Sequence, residues 1–177
     1  MRVSSKPYGI RIHGFTLIEL LVVMLIITIL MTILFPAGQS VLNSAKKTTT
    51  KNQCVQIATA ITSYETEYGR LPNFSGTSLS NNNLGMLLAG DTLNNPRGLN
   101  FIEVTAWKPG KGGTNTNGFC DPFNASNVYS VSLDTNYSNV QSNVSLGVFG
   151  NPNLTKHIMV WSTPKVGATN VLINSWD

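Results

Sequence analysis

The sequence predicts an α+β fold, and three observations carry that prediction. An unbroken apolar run extends from Phe15 to Phe35, an apolar stripe recurs at helical spacing from Cys54 to Tyr68, and five short strand-like runs follow residue 100. Together they describe a long N-terminal helix whose first half spans a membrane and which kinks near Pro36. Its second half packs on a small antiparallel sheet. With 177 residues the chain has room for about one domain beyond that helix.

The first 14 residues read as a basic leader. Arg2, Lys6 and Arg11 precede the apolar run, and the other nine Lys and Arg nearly balance eight Asp and Glu, so the net charge of +4 resides mostly in the leader. Basic residues are retained on the cytoplasmic side of a membrane segment, and the next ones, Lys46 and Lys47, lie well beyond the run. The leader is therefore expected inside and the remainder across the membrane. No basic stripe with interleaved aromatics is left, and no nucleic-acid partner is expected.

From Phe15 to Phe35 the sole charge is Glu19, and the other polar residues are Thr16, Thr28 and Thr32. A helix of that length crosses the hydrocarbon core at about 1.5 Å per residue. An ordinary secretory signal has a shorter apolar region of roughly 7 to 15 residues before a small-residue cleavage site. A plain anchor fits the length but gives no reason for Glu19, whose ionised side chain in lipid costs from about 3 kcal/mol upward.

Proline within a helix removes one backbone hydrogen bond and clashes with the carbonyl four residues back, so a kink or break is expected at Pro36. Residues 36–68 read as an amphipathic continuation, because Cys54, Ile57, Ile61, Tyr64 and Tyr68 share one face. Gly69 and Pro72 mark its end. The cluster Lys46, Lys47 and Lys51, and the acids Glu65 and Glu67, read as solvated.

Residues 69–177 are expected to form a loop-rich globular domain with C-terminal antiparallel strands. "LGMLLAG" reads as a short helix, and strands are expected at 101–107, 128–134, 144–149, 157–163 and 171–176. Alternation places Tyr129, Val131 and Leu133 on one face, toward the helix stripe. Cys54 and Cys120 fit either a disulfide, in a compartment where disulfides persist, or two buried thiols.

The stretch "G|FTLIELLVV", residues 14 to 23, resembles the processing site of type IV pilins and type II secretion pseudopilins: a basic leader ending in glycine, then Phe, then Glu as the fifth residue after the glycine. The resemblance implies cleavage between Gly14 and Phe15 by prepilin peptidase, N-methylation of Phe15, and polymerisation through the N-terminal helix. Glu19 then sets register against a neighbour's terminal amine, and Pro36 corresponds to the helix break that accompanies packing into a filament. "YETEYGRLPN", "DPFNASNVYSVSLD" and "VWSTPKVGATNVLINSW" resemble segments of the major pseudopilin group, which points to a type II secretion pseudopilus-like filament. That group commonly holds calcium on aspartates in its last segment, at places that fall here near Lys165 and Asn170, so no metal is expected.

The function implied is structural. Its partners would be prepilin peptidase, identical and related pilin-like subunits, an inner-membrane assembly platform with a cytoplasmic ATPase, and membrane lipid before assembly. The expected location is a bacterial inner membrane, single-pass, with the C-terminal domain periplasmic. A type IV pilus subunit and a single-span anchored binding domain that never polymerises are the alternatives. Enzymatic chemistry is not expected: His157 is the sole histidine after the leader, no Cys-x-x-Cys or glycine-rich phosphate loop occurs, and no cofactor is implied.

Overall fold

A computed structural model describes residues 14–73, 83–92, 95–141 and 144–176, with the side chains of Pro36, Ala37 and Asn83 outside the description. Residues 1–13 of the basic leader, including His13, and residues 74–82 of the loop after the helix lie outside the described residues. The chain divides into two compact units, with the boundary between Val41 and Leu42.

Helix α1 spans Leu17–Tyr68 and continues through Pro36. It stops where Gly69 takes φ 68° and donates its N–H to the Glu65 carbonyl at 2.8 Å, a left-handed C-terminal cap. In the second unit its stripe is buried: Cys54, Ile57, Ile61 and Tyr64 are at most 2 % exposed. The stripe packs with Val131 and Val160 of the sheet and with Leu84, Leu87 and Leu88 of a short helix α2, Asn83–Leu88.

Among the described residues seven short strands follow: β1 Gly113–Asn115, β2 Gly118–Cys120, β3 Ser130–Leu133, β4 Ile158–Ser162, β5 Lys165–Val166, β6 Thr169–Asn170 and β7 Ile173–Asn174. β3, β4 and β7 form one antiparallel sheet in that order, with Val131 opposite Val160 and Trp161 opposite Asn174. Alternation gives this sheet two faces. Val131 and Val160 join the helix-side core, whereas Met159 and Trp161 point the other way and pack with Val144 and Leu146. Tyr129 and Val131 are buried in the helix-side core and Leu133 packs partly against it, as alternation requires.

Two expected strands are not strands. In 101–107 the N–H groups of Phe101 and Ile102 turn to the Leu88 carbonyl at 2.8 and 3.2 Å, and the Phe101 ring sits 5.6 Å from that of Tyr64. Capping α2 and joining an aromatic cluster wins over pairing, leaving only isolated bridges such as Ala106 to Thr114. In 144–149 the apolar alternation is real, but the partner is the segment's own return. Val144 N–H bonds Pro152 O at 3.1 Å and Leu146 N–H bonds Gly150 O at 3.0 Å, closing a tight arm around a 3-10 turn, Gly147–Phe149.

The loop near Lys165 and Asn170 is closed by the β5–β6 hairpin, with Val171 N–H bonding Pro164 O at 3.0 Å. The acids read as solvated are engaged instead. Glu67 pairs with Arg97, and Glu65 Oε1 lies 3.0 Å from His157 Nε2. Lys46 stands over the Phe123 ring, 5.6 Å from its centroid.

Candidate functional site

The N-terminal segment is an apolar helix whose few polar side chains are bonded locally. Thr16 precedes the first helical residue and Glu19 lies three positions on. The Thr16 backbone N–H and hydroxyl donate to the Glu19 carboxylate at 2.8 and 2.7 Å, and the Glu19 N–H returns a bond to the Thr16 hydroxyl at 3.3 Å. This is a capping box, in which two helix-start donors are satisfied reciprocally. Further along, Thr28 donates to Leu25 O at 2.8 Å and Thr32 to Ile29 O at 2.7 Å. Every polar side chain between Phe15 and Phe35 is thus bonded within its own helix, the condition a lipid-facing segment must meet.

All residues from Gly14 to Phe35 are exposed. The helix is long and apolar enough to cross a membrane, with a mean hydropathy of 2.9 over its most apolar window. Gly14 and Phe15 lie just ahead of helix α1, which begins at Leu17, so the bond expected to be cut is in non-helical backbone.

The second unit holds the remaining titratable groups. Asp121 is fully buried and its carboxylate is saturated. Oδ1 takes the N–H groups of Phe123 and Asn124 at 2.9 and 3.1 Å, while Oδ2 takes the Ser162 hydroxyl at 2.7 Å and the Asn127 amide. Cys54 and Cys120 are buried free thiols and are not bridged in the structure. Cys54 Sγ lies 3.8 Å from Ile173 O, and Cys120 Sγ lies 3.0 Å from Ala125 O. Burial, reinforced by the Asp121 carboxylate, pushes the Cys54 thiol up to about 12.

His157 links α1 to the β3–β4 connection, with Nε2 on Glu65 and Nδ1 3.8 Å from Asp134 Oδ2, under the Tyr137 ring at 5.0 Å. Burial works to raise the Asp134 carboxyl. It is outweighed by bonds from the Asn139 and Ser138 backbone, the Ser138 hydroxyl and His157, and the net shift is downward. No cluster of three or more His, Cys, Asp or Glu among the described residues can hold a metal ion.

The structure therefore separates the expected assembly residues, Gly14, Phe15 and Glu19 at the helix start, from the two cysteines in the globular core. Thr16 is the residue the sequence reading passed over, although the Thr-x-x-Glu spacing announces a capping box. The Glu65–His157–Asp134 group had no local signal, since its members are 92 and 23 positions apart.

Residues 10–35 match the family described as Prokaryotic N-terminal methylation motif. This indicates a type IV pilin-like prepilin, a structural subunit processed by prepilin peptidase and assembled with pilin-like subunits. The motif and the apolar helix fit a membrane-anchored, single-pass chain. No curated protein and no solved structure matches the chain.

Proposed function

We propose that the chain is a filament subunit, cleaved after Gly14, methylated on Phe15 and polymerised through its N-terminal helix, with residues 69–177 coating the polymer. The observation that carries this reading is the methylation motif at 10–35, on a helix whose apolar side chains from Leu17 to Phe35 are all exposed.

The physics of the steps follows from the solvent. In the bilayer those side chains are already among lipid tails, so helix association there rests on packing and polar contacts rather than on the hydrophobic effect. Cleavage exposes a new positive amine at Phe15, and a staggered neighbour's Glu19 carboxylate can leave its capping box to meet it. In apolar surroundings that attraction is strong and desolvation offsets much of it, so the pair sets register more than stability. Once the helices are drawn out of the membrane, exposing the 17 apolar residues from Phe15 to Phe35 to water opposes dissociation, at roughly 25 cal/mol per Å² of apolar surface. Extraction needs outside energy, which we assign to an assembly platform with a cytoplasmic ATPase. Residues 36–68 continue the helix into the coat, and local unwinding at Pro36 accommodates the packing.

The finer reading is a type II secretion pseudopilus-like filament in the periplasm, anchored in the inner membrane before assembly. It is supported by the helix exit "YETEYGRLPN", the Asp121–Asp134 segment and the C-terminal segment. The competing reading is a surface type IV pilus. The deciding experiment is the mass of the N-terminal peptide from native cells, followed by deletion of the gene. A methylated peptide starting at Phe15 establishes processing, and retained Met1 or cleavage beyond Phe35 refutes it. Loss of protein secretion with surface pili intact supports the pseudopilus, and the reverse supports the pilus.

A further inference from the structure

The chain leaves β3 through Asp134, Thr135, Asn136, Tyr137, Ser138 and Asn139, with oxygen-bearing side chains on the alternate residues Asp134, Asn136 and Ser138. An EF-hand calcium loop offers its first three side-chain ligands at this spacing. It then turns sharply at a sixth-place glycine and presents a main-chain carbonyl at the seventh place. Here the sixth and seventh places are Asn139 and Val140. Asn139 adopts the left-handed backbone that the glycine would supply, with φ 57°.

The oxygens converge. Ser138 Oγ lies 3.2 Å from Asp134 Oδ1 and 2.9 Å from the Val140 carbonyl oxygen, and its hydroxyl has one proton to give. Whichever of the two it serves, it leaves the other unserved. Asp134 Oδ2 is engaged separately, by the Asn139 N–H and by His157 Nδ1 at 3.8 Å. Asn136 is exposed, and its side chain makes no hydrogen bond among the described residues. Asp134, Asn136, Ser138 and Val140 line one cavity of about 380 Å³. Ser145, the twelfth residue counted from Asp134, lines it too.

We propose that the 134–140 loop binds calcium, with Asp134 Oδ1, the Asn136 side-chain oxygen, Ser138 Oγ and the Val140 carbonyl as its protein ligands. A hard cation draws on carboxylate, amide, hydroxyl and backbone oxygens together. Such a site therefore needs no cluster of three acids, histidines or cysteines, and none is found among the described residues. Calcium tolerates an irregular oxygen set, whereas magnesium demands near-ideal octahedral geometry and gives up its water reluctantly. The loop offers one carboxylate, and Ser145 stands where an EF-hand has a bidentate glutamate. Both features put the dissociation constant at about 10⁻⁴–10⁻³ M, the class of extracellular modules. The place is separate from the C-terminal loop near Lys165 and Asn170. Through Asp134, His157 and Glu65 the ion would brace the β3–β4 connection against α1. Nothing in this inference depends on the filament reading.

The test uses the full-length chain, purified in detergent and stripped of metal with a chelator. Terbium luminescence excited through tyrosine reports occupancy, because Tyr137 lies inside the loop, and calcium is added as the competitor. The expected result is saturable displacement of terbium at about 10⁻⁴–10⁻³ M calcium, with no displacement by magnesium at the same concentration. The thermal midpoint is expected to rise with calcium as mass action requires. Asp134→Asn does not decide the matter, because that carboxylate also holds the fold. Asn136→Ala does: it is expected to weaken calcium binding roughly tenfold or more while leaving the metal-free midpoint unchanged. Asn139→Gly, which suits the left-handed backbone, is expected to retain binding. Absence of saturable calcium binding up to about 10 mM overturns the proposal. Binding of unchanged affinity in both Asn136→Ala and Ser138→Ala also overturns it, by placing the ion elsewhere.

Discussion

Thr16 and Glu19 close on each other at the start of helix α1, with the Thr16 N–H and hydroxyl at 2.8 and 2.7 Å from one carboxylate oxygen. In a lone subunit this gives the single charge of the apolar segment a partner, which lowers the cost of holding it in lipid before any neighbour arrives. The same carboxylate must be surrendered if it is to pair with a neighbour's amine. Glu19→Ala is therefore expected to preserve membrane insertion and the globular fold but to abolish filaments, read by membrane fractionation and by electron microscopy of sheared material. Glu19→Ala subunits that assemble normally would refute a register role.

Ile61 is fully buried against the sheet and α2, so Ile61→Ala leaves a cavity in the helix-side core. Its expected cost is about 2–5 kcal/mol of unfolding free energy, measured by denaturant titration of the detergent-solubilised chain. Val55 lies on the same helix but is 43 % exposed, and Val55→Ala is expected to change stability by no more than about 0.5 kcal/mol.

Asp121 anchors the 121–127 loop to β4 through Ser162. Asp121→Ala removes the acceptor of the Phe123 and Asn124 N–H groups and of the Ser162 hydroxyl, while the Asn127 amide keeps Ser162 as a partner; each group left unmet costs about 1–3 kcal/mol, so the variant is expected to unfold at lower denaturant. Asp121→Asn should also destabilise, by less, because the amide keeps one acceptor and turns an N–H₂ toward donors. Equal stability of the two variants with the parent would remove Asp121 from this role.

What was readable in advance follows local chemistry. The apolar run, the Cys54–Tyr68 stripe and the Gly69 stop are periodic or capping signals, and the structure carries them as one helix with one buried face. β3 was readable because a half-buried strand alternates, and β4 because a strand covered on both faces is a short continuous apolar run. The segments 101–107 and 144–149 alternate too, and went elsewhere for reasons no alternation encodes: a carbonyl of α2 to cap, and a return strand to fold against. The short hairpins β1–β2 and β5–β6 went unread because two or three residues give no period. The buried pairing of Asp121 with Ser162 and the half-buried one of Glu65 with His157 depend on residues 41 and 92 positions apart, which topology alone brings together.

Cys54 and Cys120 are expected to resist maleimide in the native chain and to react fully in denaturant without prior reduction. Burial holds both thiols above their ordinary range, and the thiolate is the reactive form. The sign of the linkage is also set. A thiol raised to about 12 binds its proton more tightly folded than unfolded, so its contribution is complete below the unfolded value and declines as the pH rises above it. Cys54→Ala should flatten that alkaline limb. Reaction in denaturant only after a reductant is added would reveal a bridge in the native chain.

Asp134 gives the opposite limb. Its carboxylate is nearly buried and receives the Ser138 hydroxyl at 3.2 Å and the Asn139 N–H, with His157 Nδ1 at 3.8 Å, while Glu65 takes the other face of that imidazole. These bonds favour the ionised form more than burial disfavours it, so the folded value lies below the unfolded one. A group depressed in this way contributes its full stability above the unfolded value and loses it as the pH falls through the folded one. Denaturation midpoints of the chain are therefore expected to fall progressively below about pH 5. Asp134→Asn should lower the neutral midpoint and make the acid limb shallower. The reason is that the amide offers the Asn139 N–H one acceptor but carries no proton-dependent charge beside His157. An acid limb of unchanged slope in Asp134→Asn would assign the pH dependence to another carboxylate, and Glu65→Gln, which faces the same ring, is the variant to compare with it.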